Sequence, residues 1–295
     1  MTLVKLTLVA AAWGASFVAG KHAVEQLPPM TVAFFRFLLS STYFLPFLLK
    51  APRPSRKDWL PIAFLGLTGI FLYNVFFLFG VALNPAGETA LVIASNPLAI
   101  TTLSVIFLKE RVSAAQVTGV FIGFLGVIVV LTNGTFNLHI APSQLILLGG
   151  VVSFAAYSVA GKPVVRRLGA TYSAAYSCVA GTLMLAPFGI YAAAGASLSK
   201  VTWLGWFSIA YLGILCSAIA YVWWYGGIAE VGAARTGVFV NLVPVFASLF
   251  SWVLLGERMK QAHVLGAVMV ILGVTLALGR RSERAGAKAA CSLRS

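Results

Sequence analysis

The sequence predicts an all-α integral membrane fold of ten transmembrane helices, arranged as two five-helix inverted-topology repeats with both termini cytoplasmic. Three observations carry this expectation. The first is composition: of 295 residues, 60% are hydrophobic and 9% charged, where a soluble domain carries roughly a quarter charged residues. Apolar runs of about twenty residues succeed one another, the length that crosses ~30 Å of hydrocarbon. The second is an internal repeat, a signal that outranks local propensity. Residues 97–127 return at 244–274, an offset of 147, with Pro97/Pro244, Ser104/Ser251, Glu110/Glu257, Arg111/Arg258, Gly119/Gly266 and Gly126/Gly273 among eleven identities in thirty-one positions. The third is the placement of the basic residues, taken up after the helices.

The predicted helices cover 3–23, 30–50, 59–82, 86–108 and 113–132 in a first half (1–135), and 143–165, 171–194, 201–228, 232–255 and 261–280 in a second (143–280). The opening segment has the outline of a secretory signal: Lys5, an apolar stretch, then Ala10-Ala11-Ala12. Its Val18-Ala19-Gly20-Lys21 recurs, however, as Val159-Ala160-Gly161-Lys162 at an offset of 141, which also sets Pro46 against Pro187. It is therefore read as a retained first helix of a repeat. The third helix of each half opens on Trp-Leu, at Trp59-Leu60 and Trp203-Leu204. The fourth and ninth carry Pro97 and Pro244, and the fifth and tenth carry the paired glycines. Residues 281–295 form a basic, polar tail expected to be disordered in the cytosol. Five helices per half is an odd number, so the second half enters the membrane from the opposite side.

Loop charge agrees. With the N-terminus inside, sixteen Lys and Arg fall on the inner side, Lys50, Arg53, Arg56 and Lys57 and then Lys162, Arg166 and Arg167 among them. Four fall outside: Lys21, Lys200, Arg258 and Lys260. Basic residues concentrate on the cytoplasmic side of membrane proteins. The formal charge of +14 thus reflects orientation in a lipid bilayer, and no nucleic-acid partner is expected. Cys178, Cys216 and Cys291 show neither metal nor disulfide spacing. No cofactor or metal is expected.

Few residues could act inside the bilayer. Pro97 and Pro244 interrupt their helices near mid-membrane, with Asn96 adjacent to one and Asn241 three residues before the other. A proline removes a helical hydrogen bond and frees a carbonyl, and broken helices at a repeat interface mark substrate sites in transporters. A plain kink satisfied by neighbouring helices remains the alternative. Trp13, Tyr73, Tyr157 and Tyr221 lie deep in their helices, with Asn74 and Ser153 nearby. Deep Tyr and Trp offer an apolar face with a polar handle, whereas Trp223, Trp224 and Tyr225 read equally well as an interfacial belt. Arg36, within helix 2, admits three readings: a gating or structural ion pair, with Glu88 as its partner; a substrate ligand; or a side chain snorkelling to the headgroups. Glu110 and Glu257 recur on opposite faces, which suits a structural role at the N-terminus of the helix that follows each, with Ser113 as a cap. Glu88 is the one carboxylate within the membrane profile, near its edge. A mid-depth acid of the kind proton antiport uses is missing, which favours a facilitator or exchanger.

Two halves carrying Pro97…Glu110-Arg111…Gly119…Gly126 and Pro244…Glu257-Arg258…Gly266…Gly273, opened by Trp13-Gly14 with Ser16-Phe17 and containing Arg36, resemble the drug/metabolite transporter superfamily in its EamA-type ten-helix branch. The likeness covers about residues 3–280. It implies a monomeric or weakly associating exporter of small metabolites in the bacterial inner membrane. The aromatic residues look most similar to those of bacterial aromatic amino acid exporters, which implies an amino acid or related amphipathic metabolite as substrate. Where the first half has Trp13-Gly14, the second has Phe154-Ala155, so the halves need not contribute equally. A proton-coupled exporter of other metabolites or drugs is the alternative. A membrane-embedded transferase would need clustered acids or histidines, and the seven acids here are scattered.

Overall fold

The computed structural model describes residues 1–51, 53–83, 92–132, 142–255 and 261–279. All regular structure among them is helical. Nine helices there are long and apolar enough to cross a membrane, and Asn96–Leu108 is a shorter apolar helix. In order they are α1 (Thr2–Val24), α2 (Pro29–Leu48) and α3 (Arg56–Leu65), which runs through a π segment (Gly66–Leu72) into α4 (Tyr73–Leu83). Then come α5 (Asn96–Leu108), α6 (Ala114–Leu131), α7 (Pro142–Leu168) and α8 (Ala170–Ala194). A second π segment (Tyr211–Ile219) joins α9 (Trp203–Ala210) to α10 (Ala220–Val231), and α11 (Ala233–Val238), α12 (Leu242–Leu255) and α13 (Gln261–Leu278) complete the chain. Glu88, Glu257 and the tail lie outside the described residues.

Local chemistry sets the ends. Pro29 occupies the first turn of α2, where its missing N–H is no loss. At α3 the Ser55 backbone N–H and hydroxyl both donate to Asp58 Oδ2, at 3.0 and 2.6 Å. The other Asp58 oxygen meets Arg167 Nη2 at 2.9 Å, tying α3 to the end of α7. Ser113 Oγ accepts from the Gln116 N–H at 3.2 Å, capping α6 as expected. Leu60, Phe107 and Leu183 are 80%, 71% and 70% exposed, which in a membrane protein is contact with lipid.

Four predicted helices are corrected. The third and eighth are not continuous α-helices: each contains a π segment, beginning seven residues after Trp59 and eight after Trp203. A wide turn leaves carbonyls without their usual donors and is common at functional sites. Here Asn74 Nδ2 donates to the Gly69 and Ile70 carbonyls, both at 3.0 Å, and Ser217 Oγ donates to the Leu212 carbonyl at 2.8 Å. The fourth is interrupted: residues 92 and 93 are helical, 94 and 95 form a turn, and a helix starts afresh at Asn96 with Pro97 in its first turn, while 84–91 lie outside the described residues. The ninth divides into α11, a 3₁₀ turn (Phe239–Asn241) and α12, with Pro244 again in a first turn. Each proline therefore sits where a new helix begins, because a first-turn residue has no intrahelical N–H bond to lose.

α6 and α13 pack along their length. A Cβ added at Gly119 would lie 2.4 Å from the Gly273 carbonyl oxygen, and one at Gly126 2.8 Å from that of Gly266. The helices therefore run antiparallel with backbones in contact, an approach only glycine permits. Gly126→Val is expected to lower the thermal unfolding midpoint in detergent sharply, by the overpacking cost of about 1–3 kcal/mol. Gly226→Ala, where an added Cβ meets nothing within 4 Å, is expected to leave the midpoint unchanged or raise it slightly, because alanine gives up less backbone freedom in a helix than glycine. Equal midpoints for both variants would remove the close crossing.

Candidate functional site

Both helix breaks carry a buried asparagine. Asn96 and Asn241 are each 0% exposed, and neither amide's nitrogen or oxygen has a hydrogen-bond partner. Leaving one such buried group unpaired costs about 1–3 kcal/mol. Asn241 turns onto α6 at Gly123, where an added Cβ would sit 2.4 Å from its Nδ2. Asn96 instead faces a cavity.

That cavity is bounded by Trp13 and Ser16 of α1, Arg36 of α2, Tyr73 and Phe77 of α4, Asn96 of α5, Phe154 of α7 and Tyr221 of α10. Val240 and Val243, beside the second break, close it. Its walls are largely aromatic. The Trp13 ring meets Phe154 edge-on at 5.5 Å and Tyr221 at 6.2 Å, and Tyr73 lies 4.8 Å from Phe154. Trp13 is held by its Nε1–H, which donates to the Cys216 carbonyl at 3.0 Å inside the second π segment. The cavity is narrow, ≈ 30 Å³, room for a water or two and not for an amino acid.

Arg36 is 3% exposed. Its Nε donates to Ser217 Oγ at 2.6 Å, and its guanidinium carbon lies 5.1 Å from the Phe37 ring centre. The second π segment thereby positions the guanidinium, because Ser217 is anchored in turn to Leu212. Among the described residues the ion pairs are Lys162–Glu110 and Arg167–Asp58, so no described carboxylate neutralises Arg36.

Of the residues singled out from sequence, Trp13, Tyr73, Asn96 and Tyr221 meet at the cavity, joined by Arg36. Asn74 is occupied by the first π segment. Tyr157 stands behind the wall, its ring 5.6 Å from Tyr221 and 4.9 Å from Tyr225. Ser153 is buried in α7 without lining the cavity. Trp224 and Tyr225 are buried at 1% and 0% exposure, so they are not belt residues, and Trp224 Nε1–H donates to Ser158 Oγ at 3.2 Å. Phe77 and Phe154 were not anticipated. The repeat carries a signal for Phe154, which is the counterpart of Trp13 at the offset of 141 and touches it.

A second constellation surrounds Glu110. Lys109 ends α5 in the left-handed conformation at φ 51°, which turns the chain and directs Glu110 away from α6. Its carboxylate pairs with Lys162 of α7 and accepts the Ala233 and Ala234 backbone N–H groups at 3.2 and 3.1 Å. The expectation of an anion at a helix N-terminus holds in kind, but the helix is α11, not the adjacent α6. Arg111, Arg166 and Glu230 line a polar cleft beside this knot.

Residues 2–132 and 142–279 each match the EamA-like transporter family. The chain is 34% identical over 274 residues to the uncharacterized transporter YyaM of Bacillus subtilis, covering 90% of each. It is 32% identical over 235 residues to a probable terminal-alkyne amino-acid exporter of Streptantibioticus cattleyicolor, covering 78% of each. With a probable amino-acid metabolite efflux pump of Salmonella typhimurium it shares 25% identity over 276 residues, 90% of this chain and 91% of that one. A solved crystal structure superimposes with a TM-score of 0.78 at 24% identity, over 96% of this chain and 98% of that one, a likeness that concerns the fold alone. With nine helices among the described residues long and apolar enough to cross a membrane and both stretches matched, the chain belongs to the EamA-like transporter family and is a multi-pass membrane transporter, not an enzyme.

Proposed function

We propose that this protein exports small metabolites, amino acids and aromatic ones among them, across the bacterial inner membrane by alternating access. The observation that carries the reading is the aromatic cavity into which Asn96 presents an unpaired amide beside Arg36. Two relatives bear amino-acid exporter or efflux names, which supports the substrate class.

The proposed frame is ten membrane helices in two inverted halves, 1–135 and 143–280, with both termini and the tail 281–295 cytoplasmic, acting as a monomer. The glycine crossing supports it. Gly119 meets Gly273, the counterpart of Gly126, while Gly126 meets Gly266, the counterpart of Gly119. Equivalent helices that run antiparallel and exchange partners are what a two-fold axis in the membrane plane produces. Paired π segments at matching positions support the same axis.

A cavity of ≈ 30 Å³ is a contracted state, so a solute enters only as the halves separate. Glu110 belongs to the first half, whereas Lys162 and Ala233 belong to the second. In this reading their knot holds the cytoplasmic face shut and must break when that face opens. The cavity lining among the described residues contains no acid, which supports facilitation or exchange rather than proton antiport.

The test is counterflow of radiolabelled phenylalanine into liposomes carrying the purified protein and preloaded with unlabelled substrate. Saturable uptake, competed by tryptophan and tyrosine and independent of an imposed pH gradient, is expected. Uptake that required the gradient would overturn facilitation. Absence of uptake for every amino acid tried would overturn the substrate class.

A further inference from the structure

We infer that Arg36 is the carboxylate receptor of the cavity, and that the transported class is wider than amino acids: amphipathic monocarboxylates, with an apolar or aromatic body, in which an ammonium group is tolerated but not required. This rests on the transport reading above and deepens it.

A guanidinium stays protonated under all ordinary conditions, and Arg36 is buried at 3% exposure. A buried cation needs an anion or a dense set of acceptors. Ser217 Oγ supplies one acceptor, at Nε, and no described carboxylate supplies the rest. Tethering Nε has a geometric consequence. The fork of Nη groups is left over, and its planar pair of donors matches the two oxygens of a carboxylate. Asn96 Nδ2, buried and unpaired at the same narrow cavity, adds a further donor. The one fixed charge in the described lining is thus positive, and with the Asn96 N–H donors beside it an anion is favoured.

The other end of the solute meets different chemistry. Trp13, Tyr73, Phe154 and Tyr221 form apolar walls suited to an aromatic or branched side chain. An ammonium finds no acid among the described lining residues, only ring faces, the hydroxyls of Ser16, Tyr73 and Tyr221, and Asn96 Oδ1. Ring faces attract cations moderately, so a zwitterion is accepted although the ammonium adds little. A solute carrying an amine and no carboxylate places its charge in the repulsive field of Arg36. If Arg36 served only to brace the π segment through Ser217, competitors would not sort by the sign of their charge.

The experiment uses the wild-type protein, so no variant has to fold. Phenylalanine counterflow in proteoliposomes is competed with 3-phenylpropionate, which lacks the ammonium, and with phenethylamine, which lacks the carboxylate. The expected result is 3-phenylpropionate competing within about tenfold of phenylalanine, and phenethylamine weaker by about 10- to 100-fold. Arg36→Gln is expected to reduce phenylalanine counterflow and to erase the preference for the acid over the amine. Phenethylamine matching 3-phenylpropionate while phenylalanine counterflow persists would overturn the inference and leave the transport reading intact. Should phenylalanine not be carried, thermal stabilisation of the purified protein decides. Stabilisation by 3-phenylpropionate and not by phenethylamine supports the carboxylate class without amino acids, and stabilisation by neither overturns both readings.

Discussion

Replacing Asn96 with leucine is expected to raise the thermal unfolding midpoint while lowering phenylalanine counterflow about tenfold, the worth of one good hydrogen bond made to the solute. The two effects share a cause. Asn96 is fully buried and both polar atoms of its amide lack partners, so the folded protein carries their desolvation without return. Leucine has nearly the same shape and removes that cost, a replacement that is neutral or stabilising where a buried polar group has no partner. The amide is retained, in this account, for the state in which a solute occupies the cavity. Stability held below its optimum at a binding site is a general pattern. Calorimetry in detergent and counterflow in liposomes check the two halves of the prediction separately. A leucine variant that is destabilised, or that transports normally, would show that Asn96 serves the helix start and not the solute.

With the proposed topology, Glu110→Ala is expected to open the cytoplasmic face. Removing the carboxylate strands the Lys162 ammonium and the Ala233 and Ala234 N–H groups together. The two charged side chains remain 16% and 14% exposed, so the loss is about 1–3 kcal/mol rather than that of a fully buried pair. A shift of that size moves a two-state equilibrium roughly 5- to 150-fold. The readout is a cysteine at position 16, on the cavity wall, in a chain otherwise freed of cysteine. Labelling of the Ser16→Cys protein by a membrane-impermeant maleimide applied from the cytoplasmic side is expected to accelerate when Glu110→Ala is added. Glu110→Gln keeps an acceptor for α11 but loses the ion pair, and is expected to fall between. Labelling unchanged in both variants would reduce the knot to a local brace.

Much of this molecule is legible in its sequence, for a reason that can be stated. Hydrocarbon imposes a length and a composition on whatever crosses it, so apolar runs report spans without knowledge of their neighbours. A repeat reports equivalence in the same way: Pro97 and Pro244 mark both helix starts, and the matched glycines mark the α6–α13 crossing. Trp13, Tyr73, Asn96 and Tyr221 could be chosen because polar and aromatic groups deep in a span are few.

The remainder was decided by contacts that join distant parts of the chain. No pattern of apolar residues distinguishes a π segment from an α-helix, because both bury the same side chains; Asn74 and Ser217 satisfy the freed carbonyls locally, and Arg36, 181 residues from Ser217, fastens the second segment across the bundle. Glu110 was read against the helix that follows it, yet its partner N–H lies 123 residues away. The left-handed turn at Lys109 sends it there, and nothing in the neighbouring residues announces that helix. Arg36 admitted three readings from sequence, and Glu88, its partner in one of them, lies outside the described residues. Only packing revealed that the second π segment holds its Nε and leaves the guanidinium fork beside the cavity without a described carboxylate. Sequence alone determined that this chain is a repeated membrane bundle with polar groups at its helix breaks. Which of those groups face one another depended on tertiary structure, because side chains far apart in the chain meet only once helices have packed.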